Sequence, residues 1–227
     1  WDKKSNNFIP NCAYREMIRV NDNKIKFGPS IQIHNEFTQL DSIEYIKVIC
    51  YENDRKVFGK VIPLVPKVNK INLDKINTEN TNILLLGIDS VSTLNFERHF
   101  IRTKKLIEQH NFHQLEGYTK IGDNTFPNLM GLLTGYHYTK FWNESFGSKM
   151  YFDNVPFIWK KFAEKNYTTV LIEDLPVYSL FNYKRKGFKV KPTDYYLRPV
   201  SLAIESSVKH QCYGQQLEID VIDLIAK

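Results

Sequence analysis

Two side chains of this sequence could together perform a reaction. One is the carboxylate of Asp89, which ends the apolar run Ile83-Leu84-Leu85-Leu86-Gly87-Ile88, and the other is the hydroxyl of Thr125 within Gly122-Asp123-Asn124-Thr125-Phe126-Pro127-Asn128-Leu129. Pro127 suits the first turn of a helix and places Thr125 at or just before its N-terminus. Backbone N–H groups and the positive end of the helix dipole would there face an incoming anion. A threonine hydroxyl is a weak nucleophile until a base or a metal lowers its pKa, and Asp89 is an oxygen donor suited to zinc, calcium or magnesium. The pair points to attack on a phosphorus or sulfur ester. On pattern alone the commoner role of a threonine at such a place is simply to cap the helix, and Asp89 by itself is an ordinary strand-end residue. Asn128 either hydrogen-bonds a bound anion or continues the first helical turn, and Asp174, beside Glu173, either lines the mouth of the pocket or is a solvated strand end.

These residues need elements to hold them. From residue 81 the pattern alternates strand and helix, the signature of a parallel sheet with helices on its faces, and such sheets bind ligands outside the carboxyl ends of their strands. Asp89, Thr125 and Asp174 all follow expected strands. The run 83–88 predicts a buried parallel strand, 97–111 a helix with Phe100, Leu106 and Ile107 facing a core, and 113–121 a further strand. A short helix follows over 126–134, closed by Gly135, then a helix over 157–166 and a buried strand over 168–172. Residues 1–70 read instead as a small β-rich module, with strands over 15–20, 24–27, 45–51 and 56–65 between Asn, Asp and Gly turns. Residues 71–80, within an Asn- and Pro-containing stretch, form a linker, and 81–227 make up the α/β part. The last stretch, 216–227, has an amphipathic helical pattern without a closing Gly or Pro. With Trp1 at the start, it leads us to expect a piece of a longer protein.

Composition narrows the classes. The chain has 227 residues, 42% of them hydrophobic and 14% aromatic, which excludes a disordered polymer. Its 31 Lys and Arg exceed its 25 Asp and Glu by six, but they are dispersed. The densest group, Lys184, Arg185, Lys186, Lys189 and Lys191, reads as a solvated face, so no nucleic-acid partner is expected. No apolar run is long enough to span a bilayer. The three cysteines, Cys12, Cys50 and Cys212, lack the paired spacing of zinc ribbons or thioredoxin-like sites. Asn143 and Asn166 stand in N-glycosylation sequons. Together with Cys12 and Cys50 flanking the strand-rich segment, they point to an extracellular or secretory-lumen protein with a Cys12–Cys50 disulfide and Cys212 left over. Phosphate-cradling GxxxxGK[ST] and GxGxxG loops are absent, as is a phosphoaspartyl motif, since Val91 stands where the second Asp would be.

Beyond these local readings, Ile83 to Ser92, Leu94-Asn95-Phe96, Gly117-Tyr118, Gly122 to Leu129 and Leu133-Thr134-Gly135 resemble the animal family catalogued as domain of unknown function 229. Glu173-Asp174-Leu175-Pro176, Phe181-Asn182-Tyr183, Gly187-Phe188, Pro192 to Tyr196 and Arg198-Pro199 carry the same resemblance, which extends over nearly the whole chain. That family is placed in the alkaline phosphatase and sulfatase superfamily. The resemblance implies an α/β fold with a parallel-sheet, alkaline-phosphatase-like core, incomplete here and preceded by the β-rich module. It implies Asp89 as first metal ligand, Thr125 as nucleophile and second contact to the metal, and a divalent ion, zinc or calcium, in full-length relatives. The substrate would be a small-molecule or glycan phosphate or sulfate ester. Sulfatases of the superfamily carry Cys or Ser at the nucleophile and usually an Asp-Asp pair on the first strand, whereas Thr125 and Asp89-Ser90 are closer to the phosphodiesterase pattern. The later Asp and His ligands of the superfamily have no counterpart after residue 174, and His210 does not match them, so the segment alone is expected to hold metal weakly and turn over little. A non-catalytic secreted binding protein with a degenerate sulfatase-like fold is the alternative.

Overall fold

The computed structural model describes residues 11–34, 40–66, 68, 81–142, 147–207, 212–213 and 216–217. The chain divides into two compact units, one of Trp1–Lys70 with Thr139–Lys227, the other of Ile71–Tyr138.

Unit one is built on an antiparallel sheet of β1 (Asn11–Asn21), β2 (Lys24–Phe27), β3 (Ile31–Gln32), β4 (Tyr45–Glu52) and β5 (Arg55–Pro63), in the order β2-β1-β4-β5 with β3 also on β1. Asn53 and Asp54, at φ 46° and 61°, close the β4–β5 hairpin. Left-handed conformations at both central residues match the strand twist, and Asn and Asp tolerate them. The side-chain alternation divides two cores. Met17, Tyr45 and Val61 face Leu197, Val200, Ala203 and Ile204, while Tyr14, Ile46, Val48 and Cys50 gather on the opposite face. The first core needs helix α5 (Arg198–Ser207), an addition to the expected elements. Val200, Ala203 and Ile204 lie at helical spacing, and Pro199 fits its first turn.

Cys12 and Cys50 are directly opposed on β1 and β4 and form the expected disulfide. The bond closes a loop of 38 residues' separation, so C12S/C50S is expected to lower the stability of unit one by about 4 kcal/mol. Urea denaturation with and without a reductant measures this, and equal midpoints would show the bond to be neutral.

The remainder of unit one contains α4 (Ile158–Glu164), β6 (Val170–Leu171) and β7 (Tyr195–Tyr196). β6 and β7 pair in parallel, and parallel pairing is limited to these four residues among those described. Phe152, Phe157, Phe181 and Phe188 are buried together, with ring centroids between 5.0 and 6.2 Å apart. Beside them lies a buried polar cluster centred on Asp22. Its Oδ1 accepts from the Arg19 guanidinium at 2.8 Å, and its Oδ2 from Phe188 N–H at 2.6 Å, Tyr196 hydroxyl at 3.1 Å and Asn182 Nδ2 at 3.3 Å. Arg198 donates to the Asp22 carbonyl, to Ser179 Oγ at 2.6 Å and to Asn23 Oδ1 at 3.2 Å. Burial, then the Asp22 charge, push the Tyr196 phenol well above its ordinary pKa. Burial likewise raises the Glu173 carboxyl, which accepts from Leu180 N–H. Gly187 closes the cluster. Its φ is +70°, and a Cβ there would lie 2.1 Å from Asp22 Oδ2, so no other residue fits.

Unit two holds α1 (Thr93–His99), α2 (Ile101–Gln109) and α3 (Thr125–Thr134). The helix expected over 97–111 is two helices, broken at Phe100, and α2 buries none of its residues. Of its expected core positions, Leu106 is half-exposed. The expected strand over 83–88 is not formed. The run has no regular secondary structure and pairs with no strand, and its side chains are exposed, from 55% at Ile88 to 87% at Leu84. Continuous apolarity suits a strand covered on both faces and paired on both edges, and no described strand lies at its edges. Residues 113–121, also expected as a strand, are turns and irregular backbone. Of the terminal helix expected over 216–227, the described residues 216–217 form a strand, β9 (Gln216–Leu217), paired with β8 (Cys212–Tyr213). Residues 218–227, the whole of the linker 71–80 and Asn143 lie outside the described residues.

Candidate active site

Thr125 and Asp89 meet. Thr125 Oγ donates to Asp89 Oδ1 at 3.1 Å, across 36 residues of sequence. Asp89 is held on a turn completed by Ser90 at φ 58°, just before Ser92 caps α1 by accepting from Asn95 N–H. Thr125 is the first residue of α3, and the cap is its neighbour. Asn124, at φ 70°, accepts from Phe126 N–H through its side chain. The capping role that could have explained the threonine therefore belongs to Asn124, and the Thr125 hydroxyl turns to the carboxylate. The signal in the sequence was Asn124 itself, a preferred cap that tolerates left-handed backbone.

The loop entering α3 is fastened by Asn128. Its Oδ1 accepts from Ile121 N–H at 2.8 Å, and its Nδ2 donates to the carbonyls of Gly122 and Asn124, both at 2.7 Å. Asn128 therefore acts as a strut, with both amide hydrogens engaged by the loop, rather than as a donor aimed outward. Gly122 is required for this close approach, since a Cβ would lie 2.7 Å from the Pro127 ring. Phe126, Pro127, Met130 and Leu133 form the buried side of α3, and Gly135 ends it in the left-handed conformation at φ 75°.

The electrostatics are sparser than expected. The Phe126 N–H is taken by the cap, and Pro127 has none. This leaves the Thr125 N–H as the donor that the first three helical positions can present beside the hydroxyl. A cation is nearby in sequence, as Lys120 pairs with Asp123 at 2.7 Å and holds its carboxyl below the ordinary value. Among the described residues no group of three or more His, Cys, Asp or Glu side chains is placed to hold a metal. Asp89 and Thr125 supply two of the about four donors that zinc takes, so these residues by themselves do not enclose an ion.

Asp174 belongs to unit one, where its Oδ1 accepts from Leu175 N–H at 2.8 Å and closes a local turn. Asn166 is exposed just beyond α4, at φ 63°, an accessible position for its sequon. No described helix is long and apolar enough to cross a membrane.

The strut assignment has a measurable consequence. Asn128→Ala removes three bonds to the loop and is expected to destabilise unit two by about 1–3 kcal/mol. Hydrogen exchange at the amides of 121–126 would rise several-fold while exchange in β1 and β4 stays the same. Unchanged exchange over 121–126 would exclude the strut.

The family model described as "Protein of unknown function (DUF229)" matches residues 3–224. No curated protein and no solved structure matches the chain.

Proposed function

The chain belongs to the DUF229 family, whose model covers nearly all of it, and from the Thr125–Asp89 contact we propose that it is part of a sulfatase- or alkaline-phosphatase-like hydrolase of phosphate or sulfate esters. Thr125 is the nucleophile and Asp89 the acceptor of its proton. Oγ attacks the phosphorus or sulfur, its hydrogen passes to Asp89 Oδ1, the Oγ–ester bond forms and the bond to the leaving alkoxide breaks. Water then attacks the adduct, Asp89 returns its proton to the departing Thr125 oxygen and so restores both hydroxyl and carboxylate, and the proton lost by the water neutralises the released alkoxide. The observation carrying this reading is that the hydroxyl, released from capping by Asn124, is held on a carboxylate at a helix start. A hydroxyl aligned by a base and set beside a helix N-terminus is arranged for attack on an anion.

The reading includes a divalent ion, zinc or calcium, that would touch Asp89 and Thr125 and lower the hydroxyl pKa. Its further ligands are not among the described residues, so residues 1–227 alone are expected to bind it weakly and to turn over slowly. The disulfide supports an extracellular or lumenal setting. The test is to incubate the full chain and Zn²⁺ with a chromogenic phosphodiester and with an aryl sulfate, measuring product and mapping any phosphoryl or sulfuryl adduct by mass spectrometry. Slow turnover with the adduct on Thr125 is expected. Turnover that survives Thr125→Ala overturns the assignment, as does millimolar zinc giving neither product nor adduct. Tight ester binding without either would favour a non-catalytic binding protein.

A further inference from the structure

We propose that the surface around residues 183–191 of unit one docks an anionic glycan, a sulfated or carboxylated sugar chain. This inference is independent of ester hydrolysis, because none of its residues lies in unit two and its readout is binding.

Three consecutive cations each stand over an aromatic ring. Lys184 Nζ is 5.2 Å from the Tyr183 centroid, the Arg185 guanidinium 4.5 Å from that of Trp142, and Lys186 Nζ 5.3 Å from that of Tyr151. Among the described residues Lys184, Lys186 and Lys189 form no ion pair. Tyr178 and Tyr183 lie 5.5 Å apart with their rings tilted, and both are exposed, as is Tyr151. A merely solvated basic face does not require exposed rings interleaved with its charges.

The backbone beneath is fixed before any ligand arrives. Phe152 N–H donates to the Gly187 carbonyl at 3.0 Å, and Phe188 N–H to Asp22. The N–H groups of Lys189 and Val190 donate to the two oxygens of Asp153 at 2.8 and 2.7 Å, while Arg19 donates to the Phe188 carbonyl. A surface anchored on both sides loses little conformational entropy on binding.

The chemistry selects the occupant. Tyrosine rings offer flat apolar area with a polar edge, which suits the C–H face of a pyranose, and the ammonium groups suit sulfates or carboxylates spaced along a chain. Duplex nucleic acid calls for a continuous basic stripe and an element that enters a groove. A bilayer calls for an amphipathic helix with a broad apolar face, whereas the residues here form turns. The Cys12–Cys50 bond belongs to an oxidising compartment, where acidic sugars are common polyanions.

The test titrates the full chain with a heparin octasaccharide, with polyphosphate of matched charge, with duplex DNA and with phosphatidylserine vesicles, at several salt concentrations. The octasaccharide is expected to bind tightest. K184E/K186E should weaken it about tenfold or more. Y178S/Y183S should weaken it about fivefold while leaving polyphosphate binding unchanged, because polyphosphate has no sugar ring to stack. Circular dichroism checks the fold, and K184Q/K186Q replaces the reversal if that variant misfolds. Octasaccharide binding unaffected by the lysine variants overturns the proposal, as does tighter binding of DNA or vesicles. Equal loss for octasaccharide and polyphosphate in Y178S/Y183S overturns the glycan assignment.

Discussion

Asp22→Ala is expected to destabilise unit one by about 3–5 kcal/mol, read as a lower urea midpoint from the fluorescence of Trp142 and Trp159, both in that unit. The carboxylate is buried and engages four donor groups: the Arg19 guanidinium, Phe188 N–H, Tyr196 hydroxyl and Asn182 amide. Removing it strands the Phe188 N–H and the Tyr196 hydroxyl in a buried setting, and a stranded buried donor costs its full desolvation penalty. The size comes from that asymmetry rather than from the net strength of the Arg19–Asp22 pair. Arg198→Met should produce a smaller loss, since its apolar stem still fills the space, and Asp22→Ala with Arg198→Met should lose less than the sum of the two. A loss below about 1 kcal/mol for Asp22→Ala would show that water reaches the cluster after all.

The largest functional effect is expected at Thr125. Thr125→Ala should lower turnover of either ester by on the order of 10³-fold or more, while Thr125→Ser keeps a hydroxyl at the same carbon and should retain a measurable share. Asp89→Asn accepts the hydrogen bond but takes the proton poorly, so its loss should fall mainly in the turnover rate. Stability separates this reading from a structural one. If Thr125 were a cap, its alanine variant would lose about 1 kcal/mol; because Asn124 holds that place, Thr125→Ala should leave the midpoint of unit two nearly unchanged and Asn124→Ala should lower it. The reverse pattern would return Thr125 to a capping role and remove the basis for the nucleophile.

How much of this was legible in the sequence differs by element. The β-rich module was readable because its signals are local. Asn53-Asp54 between two runs of β-branched and aromatic residues specifies a hairpin, and Cys12 and Cys50 fall opposite each other once the strands pair. The run 83–88 was not, because an unbroken apolar stretch reports that a segment wants to be covered, not whether strands are present to cover it. Thr125 was found from Pro127, yet its separation from the cap depended on the positive φ of Asn124, which the residue type permits without dictating. Asp22 was invisible among turn residues. Its importance comes from Phe188, Tyr196 and Arg198, more than 160 positions away, and no periodicity links residues so distant.

That distance also sets a clock. Arg198 reaches back to the carbonyl of Asp22 across 176 positions. At a synthesis rate of about 5–20 residues per second, the first hairpin leaves the ribosome roughly 9–35 s before the arginine that fastens it. Throughout that interval β1 and β2 are without α5, and the whole of unit two is made before unit one can close. Unit one is therefore assembled last from the first-made and last-made parts of the described chain, and its completion waits on translation rather than on the microseconds in which a hairpin forms.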